Sequence, residues 1–145
     1  MEFSFLYWLQ ELRNPFLDSL MPAVTFLGNG GWFWIFLGVI LLAGKRTRKT
    51  GLAVLLSLLA GLIIGNLFLK NLVARSRPCW IDPSVPLLIG VPQDYSFPSG
   101  HTLASFEAAV SVWFYNRRWG TVLLVLGVII GFSRMYLFVH FPTDV

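Results

Sequence analysis

The chain contains two histidines, His101 and His140, and each lies inside a short polar block within an otherwise apolar sequence. In the block Ser133-Arg134-x5-His140-x3-Asp144, an aspartate follows the histidine by four residues, across Pro142. If Pro142 opens a helix, Asp144 sits in its first turn and can reach back to the His140 ring. A carboxylate on one imidazole nitrogen fixes the tautomer and leaves the other nitrogen free as a nucleophile or base. The block Pro98-Ser99-Gly100-His101 follows a different logic. Proline suits the first helical position, and Ser99 and Gly100 then offer backbone N–H groups at a helix N-terminus, which is an anion site. Such a run is also a common helix start. The histidine beside it gives it weight, because an imidazole titrates near neutrality and can move a proton.

A third block, Lys70-x6-Arg77-Pro78, supplies cations, with Arg75 between them. Lys70 and Arg77 share a face if the helix continues from one to the other. Arginine forks around phosphate oxygens bidentately, whereas lysine acts as a point charge. A lone Lys70 at the end of a span would as readily snorkel to the headgroups. Together with Arg134, however, these cations surround two imidazoles, and that charge balance suits a phosphate group. No carboxylate cluster is available to hold Mg²⁺, so no metal or other cofactor is expected, and the side chains would neutralise the phosphoryl oxygens.

The elements that carry these blocks must cross a membrane. Of 145 residues, 56% are hydrophobic and only 12% charged, with a mean hydropathy of +0.69. A soluble domain of this length cannot bury so much apolar side chain. The formal charge of +4 does not point to nucleic acid, because the basic residues cluster between apolar runs, as Lys45, Arg46, Arg48 and Lys49 and again as Arg117 and Arg118. That placement follows the positive-inside rule. The single cysteine, Cys79, excludes an intrachain disulfide and a thiolate zinc cluster, and the MEFSF start lacks the basic region of a cleaved signal peptide.

Residues 1–14 place Phe5, Trp8, Leu9 and Leu12 at helical spacing and predict an amphipathic helix at the interface. Phe16 to Gly28 is short for a span and reads either as an oblique crossing or as a re-entrant segment. Trp32–Gly44, Gly51–Leu69, Pro98–Asn116 and Thr121–Phe138 read as further membrane helices, with 74–97 a loop holding Asp82 and Asp94. Lys70 lies roughly 30 Å of helix beyond the first basic cluster, and His101 and Arg134 each lie roughly 24 Å from the second. With the basic clusters cytoplasmic, all three blocks and the loop gather at the opposite face. The expected fold is all-α, a polytopic transmembrane bundle of about five membrane helices forming one domain.

The three blocks, in order, resemble the signature of the type 2 phosphatidic acid phosphatase superfamily, over roughly residues 50–145. The resemblance implies a lipid phosphate or diphosphate phosphatase of six-helix fold, embedded in the cell membrane with its site on the extracytoplasmic side. It implies that His140 attacks phosphorus to form a phosphohistidine, Asp144 orients it and His101 protonates the leaving oxygen. Lys70, Arg77, Ser99, Gly100 and Arg134 would hold the phosphoryl oxygens. Undecaprenyl diphosphate leads the implied substrates, ahead of phosphatidylglycerophosphate and phosphatidate; the partners are that lipid and the bilayer, with no nucleic acid. A vanadate haloperoxidase shares the blocks on a soluble scaffold, which the long uncharged spans disfavour.

Family members continue from this aspartate into a sixth helix, so Asp144 is expected to be loosely held here. The alternative reading is therefore an impaired or non-catalytic membrane protein that retains the pocket. Outside the signature, Glu107 and Asn66 are expected to make interhelical hydrogen bonds, Trp80 and Tyr95 to anchor at the interface, and Cys79 to be incidental.

Overall fold

The computed structural model describes residues 1–145, and the chain is helical throughout, with no strand. Helix α1 (Glu2–Glu11) is followed by α2 (Pro15–Phe26), which starts where the Asn14 side chain accepts from Leu17 N at 3.0 Å and Pro15 takes the first turn. A 3₁₀ turn, Asn29–Gly31, joins α2 to α3 (Trp32–Ala43). At 12 residues apiece, or about 18 Å, neither α2 nor α3 crosses a bilayer alone. Together they qualify as one span, bent by 42°.

The next helical stretch is the longest. It begins as α4 (Arg48–Gly61), widens to π-helical geometry over Leu62–Leu69, and ends in α5 (Lys70–Val73). Helix α4 packs so closely on α3 that a Cβ on Gly51 would lie 2.2 Å from the Leu42 backbone nitrogen. The short α6 (Pro78–Ile81) opens the 74–97 loop. Helices α7 (Gly100–Tyr115) and α8 (Arg117–Tyr136) form an antiparallel pair, and Asn116 caps α8 by accepting from Trp119 N at 3.2 Å. The 48–81 stretch and α8 are each long and apolar enough to cross a membrane. Leu52, Leu56, Leu59 and Ile63 on one, and Val122, Val125 and Ile129 on the other, form exposed stripes at helical spacing. Apolar side chains exposed at that spacing face lipid.

Two cores divide the bundle. Trp34, Val54, Ala108, Val112 and Ile130 hold the helices together at mid-depth. Leu6, Leu9, Met21, Cys79 and residues 136–139 and 141 form the second, under the loop. Helix α1 therefore buries Leu6 and Leu9 rather than the whole expected stripe; Phe5, Trp8 and Leu12 point outward. It caps the end of the bundle that holds the polar blocks, with the Tyr7 hydroxyl donating to Asp82 at 2.7 Å.

Candidate functional site

The residues of all three blocks converge. One cavity of about 700 Å³ is lined by Lys70, Arg77, Gly100, His101, Arg134 and His140, and it extends between α2–α3, the π-helical stretch and α7. Leu62, Asn66 and Lys70 recur every four residues along the widened helix and face this space. Non-α geometry of this kind is frequently found at functional sites.

Lys70 and Arg77 do not share a helical face as expected. Ala74 adopts a left-handed conformation (φ 47°) and ends α5, so the chain doubles back before Arg77. What reunites the two cations is Asp94, which in the sequence marks only a loop. Its carboxylate accepts from Lys70 Nζ at 2.5 Å and from Arg77 Nη2 at 2.8 Å. Burial alone would raise this carboxyl, but the two cations outweigh it and hold Asp94 down at about 2.

Arg77 is 2% exposed and uses its whole guanidinium. Its Nε donates to Asp94 O at 2.6 Å, Nη1 to Val139 O at 2.7 Å and Nη2 to Tyr95 O at 3.2 Å. Nη1 also lies 2.9 Å from His140 Nε2. Since a guanidinium only donates, Nε2 must present its lone pair there, and the ring hydrogen sits on Nδ1. Nδ1 faces Ser96 Oγ at 3.4 Å and Asp144 Oδ2 at 3.6 Å. Burial, aided by the charges of Arg77 and Arg134 and opposed by Asp144, takes His140 down to about 4. At neutral pH it is an uncharged imidazole with its lone pair toward the cations.

Asp144 is not loosely held. It is 5% exposed, in the 3₁₀ turn Pro142–Asp144 that Pro142 opens. It accepts from Arg75 Nη1 at 2.6 Å, Ser96 Oγ at 2.5 Å and Phe141 N at 2.8 Å. Burial pushes its carboxyl up, but His140 and these donors more than reverse the effect, and the group ends below the usual range. Arg75 also reaches Glu2 of α1 at 2.6 Å and stacks 4.3 Å over the Phe141 ring. Sequence places Arg75 beside the cations but does not pair it with Asp144, and it gives no sign of Ser96, since a serine three residues before Ser99 carries no periodic signal.

Arg134 is buried, and its Nη1 donates to Thr25 Oγ1 at 2.7 Å. No carboxylate pairs with it, and its Nε finds no acceptor in the chain. It is the cation with spare donors in the cavity wall. Among the residues expected to hold phosphate, Ser99 is the exception. Its hydroxyl accepts from Thr102 Oγ1 at 3.1 Å, its N–H donates to Asp144 O at 2.9 Å, and it lines a neighbouring cleft instead of the cavity. Gly100 does line the cavity, against Asn66.

Neither the Glu107 nor the Asn66 side chain makes the expected interhelical hydrogen bond, although the Glu107 carbonyl accepts one from Ser57 Oγ at 3.4 Å. Gly61 opposite Glu107 and Gly100 opposite Asn66 lack side chains, and the polar ends lodge in the space left, facing the cavity. The 74–97 loop is tied by Trp80, whose indole donates to Pro92 O at 3.0 Å and meets the Tyr95 ring edge-on. Cys79 is buried in the core beneath it.

Comparison with known proteins matches this chain to a family. A family model for the PAP2 superfamily matches residues 50–145. The undecaprenyl-diphosphatase of Sulfolobus acidocaldarius is 35% identical over 133 residues, covering 89% of this chain and 64% of that protein. The undecaprenyl-diphosphatase BcrC of Bacillus subtilis is 33% identical, covering 92% of this chain and 68% of its own length. The chain thus spans about two thirds of these curated relatives. Among solved structures, a transmembrane PAP2-type phosphatidylglycerolphosphate phosphatase from Bacillus subtilis superposes with a TM-score of 0.78 at 25% identity, covering 97% of this chain and 73% of that one.

Proposed function

Because the chain belongs to the PAP2 superfamily, we propose that it hydrolyses a lipid phosphate or diphosphate through a phosphohistidine on His140, with undecaprenyl diphosphate the leading substrate. The observation that carries this reading is the direction of the His140 lone pair: Nε2 points at Arg77 Nη1, at 2.9 Å, inside a cavity that also holds His101, Lys70 and Arg134. A phosphoryl group gripped by Arg77 and Arg134 lies beside that nitrogen.

In the first step Nε2 bonds phosphorus and the bond to the leaving oxygen breaks, while His101 gives that oxygen a proton. A positioned proton donor of this kind is typically worth about 10²–10⁴-fold in rate. In the second step His101 takes a proton from water as the water attacks phosphorus, and inorganic phosphate leaves with His140 restored. Arg134, with its unused donors, and Lys70 and Arg77, once the phosphate competes with Asp94 for them, stabilise charge on the equatorial oxygens. This donor set performs phosphoryl transfer without calling on a metal. Ser96 and Asp144 keep the ring hydrogen on Nδ1 and stabilise the charge that develops on the imidazole.

The cavity continues past the site between helices, where an isoprenoid or acyl tail fits among Leu58, Leu62 and Leu103. The site end lies opposite the basic clusters, and the positive-inside rule supports the reading of an extracytoplasmic site in the cell membrane. The test is phosphate release from undecaprenyl diphosphate by the purified chain, with phosphatidylglycerophosphate alongside. The wild type turns over and His140→Ala does not, while still inserting; wild-type turnover by His140→Ala would exclude the histidine mechanism.

A further inference from the structure

The Gly28-Asn29-Gly30-Gly31 turn lies outside the residues matched to the family, yet it reaches the site. It breaks the α2–α3 span beside the cavity, which Gly28, Asn29, Gly30 and Gly31 all line. Irregular backbone at membrane depth is tolerated where it borders a cavity. Resting on the phosphatase reading above, we propose that Asn29 is the positioning residue of His101: its amide oxygen holds the ring so that Nε2 carries a hydrogen and Nδ1 is left to exchange the catalytic proton.

Asn29 Oδ1 lies 2.9 Å from His101 Nε2. An amide oxygen only accepts, so the ring nitrogen facing it is the protonated one. The turn is built to hold that contact. Gly30 (φ 57°) and Gly31 (φ 68°) occupy the left-handed region where a side chain is strained. Gly28 does not, since its φ is −87°, and its backbone would accept any residue. What requires glycine there is the ring: a Cβ on Gly28 would lie 2.5 Å from His101 Cδ2 and 3.0 Å from Cγ. The Trp32 indole closes the break by donating to Phe26 O at 2.9 Å. Each residue of GNGG thus has a separate reason, two for the turn and two for the imidazole.

The other groups around His101 cannot replace this contact. Arg134 of α8, Lys70 at the end of the π-helical stretch, Arg77 of the loop and His140 of the C-terminal segment all bear on the ring electrostatically. Of the acids that line the cavity, Asp94 is engaged by Lys70 and Arg77, and Glu107 lies two turns along α7. Asn29 is the acceptor in contact with the ring.

Two measurements decide the role. With ¹⁵N-histidine labelling of the full chain in detergent, His140→Gln leaves His101 as the single histidine, and its neutral ring is expected to show the hydrogen on Nε2; Asn29→Ala shifts it toward Nδ1. A ring protonated on Nδ1, or one unchanged by Asn29→Ala, overturns the proposal whatever the activity. In turnover, Asn29→Ala lowers kcat about fivefold to tenfold with KM within about twofold, as loss of one positioning hydrogen bond implies. The alkaline limb of the kcat/KM profile moves to lower pH in Asn29→Ala, because the ring cation loses an acceptor, and to higher pH in Asn29→Asp, because it gains a carboxylate. Equal limbs in all three proteins overturn the proposal and leave the phosphatase reading standing. A wild type without lipid phosphatase activity removes that reading, and the ¹⁵N spectrum still decides what Asn29 does to the ring.

Discussion

Arg75→Gln tests whether the site depends on the arginine that clamps its orienting carboxylate. Arg75 donates to Asp144 at 2.6 Å through Nη1 and to Glu2 at 2.6 Å through Nη2. The Asp144 side chain is fully enclosed, whereas Arg75 is 27% exposed. A hydrogen bond to a charged group contributes about 1.5–3 kcal/mol net. Partial exposure of the arginine screens it, so the lower part of that range applies, about 1.5–2 kcal/mol. Asp144 keeps Ser96 and Phe141 N, so the carboxylate stays in place but swings more freely. If the loss falls wholly on alignment of the His140 ring, kcat drops about 10- to 30-fold with KM little changed. Glu2→Gln is the matched control. It breaks only the outer half of the clamp, between partners 27% and 34% exposed, and such a pair contributes under about 1 kcal/mol. The assay is steady-state phosphate release from a lipid diphosphate in mixed micelles, with insertion checked by thermal melting. An Arg75→Gln enzyme within twofold of wild type, or an equal loss in Glu2→Gln, would refute the argument that Asp144 needs this cation.

Two further outcomes follow from the charges in the cavity. An unfolded histidine takes up its proton below its ordinary value of 6.5, while folded His140 resists until about 4. Across that window the unfolded state binds more protons, so stability falls as pH drops from 6.5 to 4, and the acid limb of kcat/KM lies near 4; a limb at 6.5 would contradict the buried, cation-flanked ring. Asp94→Asn releases Lys70 and Arg77 from their carboxylate while Arg77 keeps its bonds to three carbonyl oxygens. Inhibition by orthophosphate then tightens about fivefold, the effect of removing roughly 1 kcal/mol of competition, and weaker inhibition would show that Asp94 assists anion binding instead.

The parts of the site that sequence made legible are those whose chemistry is unusual for their surroundings. Histidines and arginines beside apolar spans stand out, and helix length alone brings Lys70, His101 and Arg134 to one end. The parts that sequence hid are held by loops, whose paths depend on long-range contacts and not on periodicity. Ala74 turns left-handed where nothing in ARSRP announces it, and the assumption that Lys70 and Arg77 share a face fails at that residue. Ser96 meets Asp144 only after the loop docks, with Ser96 N donating to Arg75 O at 2.8 Å. Asn29 meets His101 across 72 residues.

One omission was nevertheless open to physical argument. Lys70 and Arg77 are both buried, and buried cations without a counter-charge are costly. The two belong to one short block, so an anion had to be nearby. Within the 74–97 loop the choice is between Asp82 and Asp94. Asp82 follows α6 directly and accepts from Ser84 through both N and Oγ and from the Tyr7 hydroxyl of α1, so it is spent away from the two cations. Asp94 stands four residues before Pro98, on the strand of chain that leads into the site. A charge balance over the loop, and not a motif, selects it, and the same balance leaves Arg134 as the buried cation without a carboxylate, the one proposed above to pair with the phosphate group.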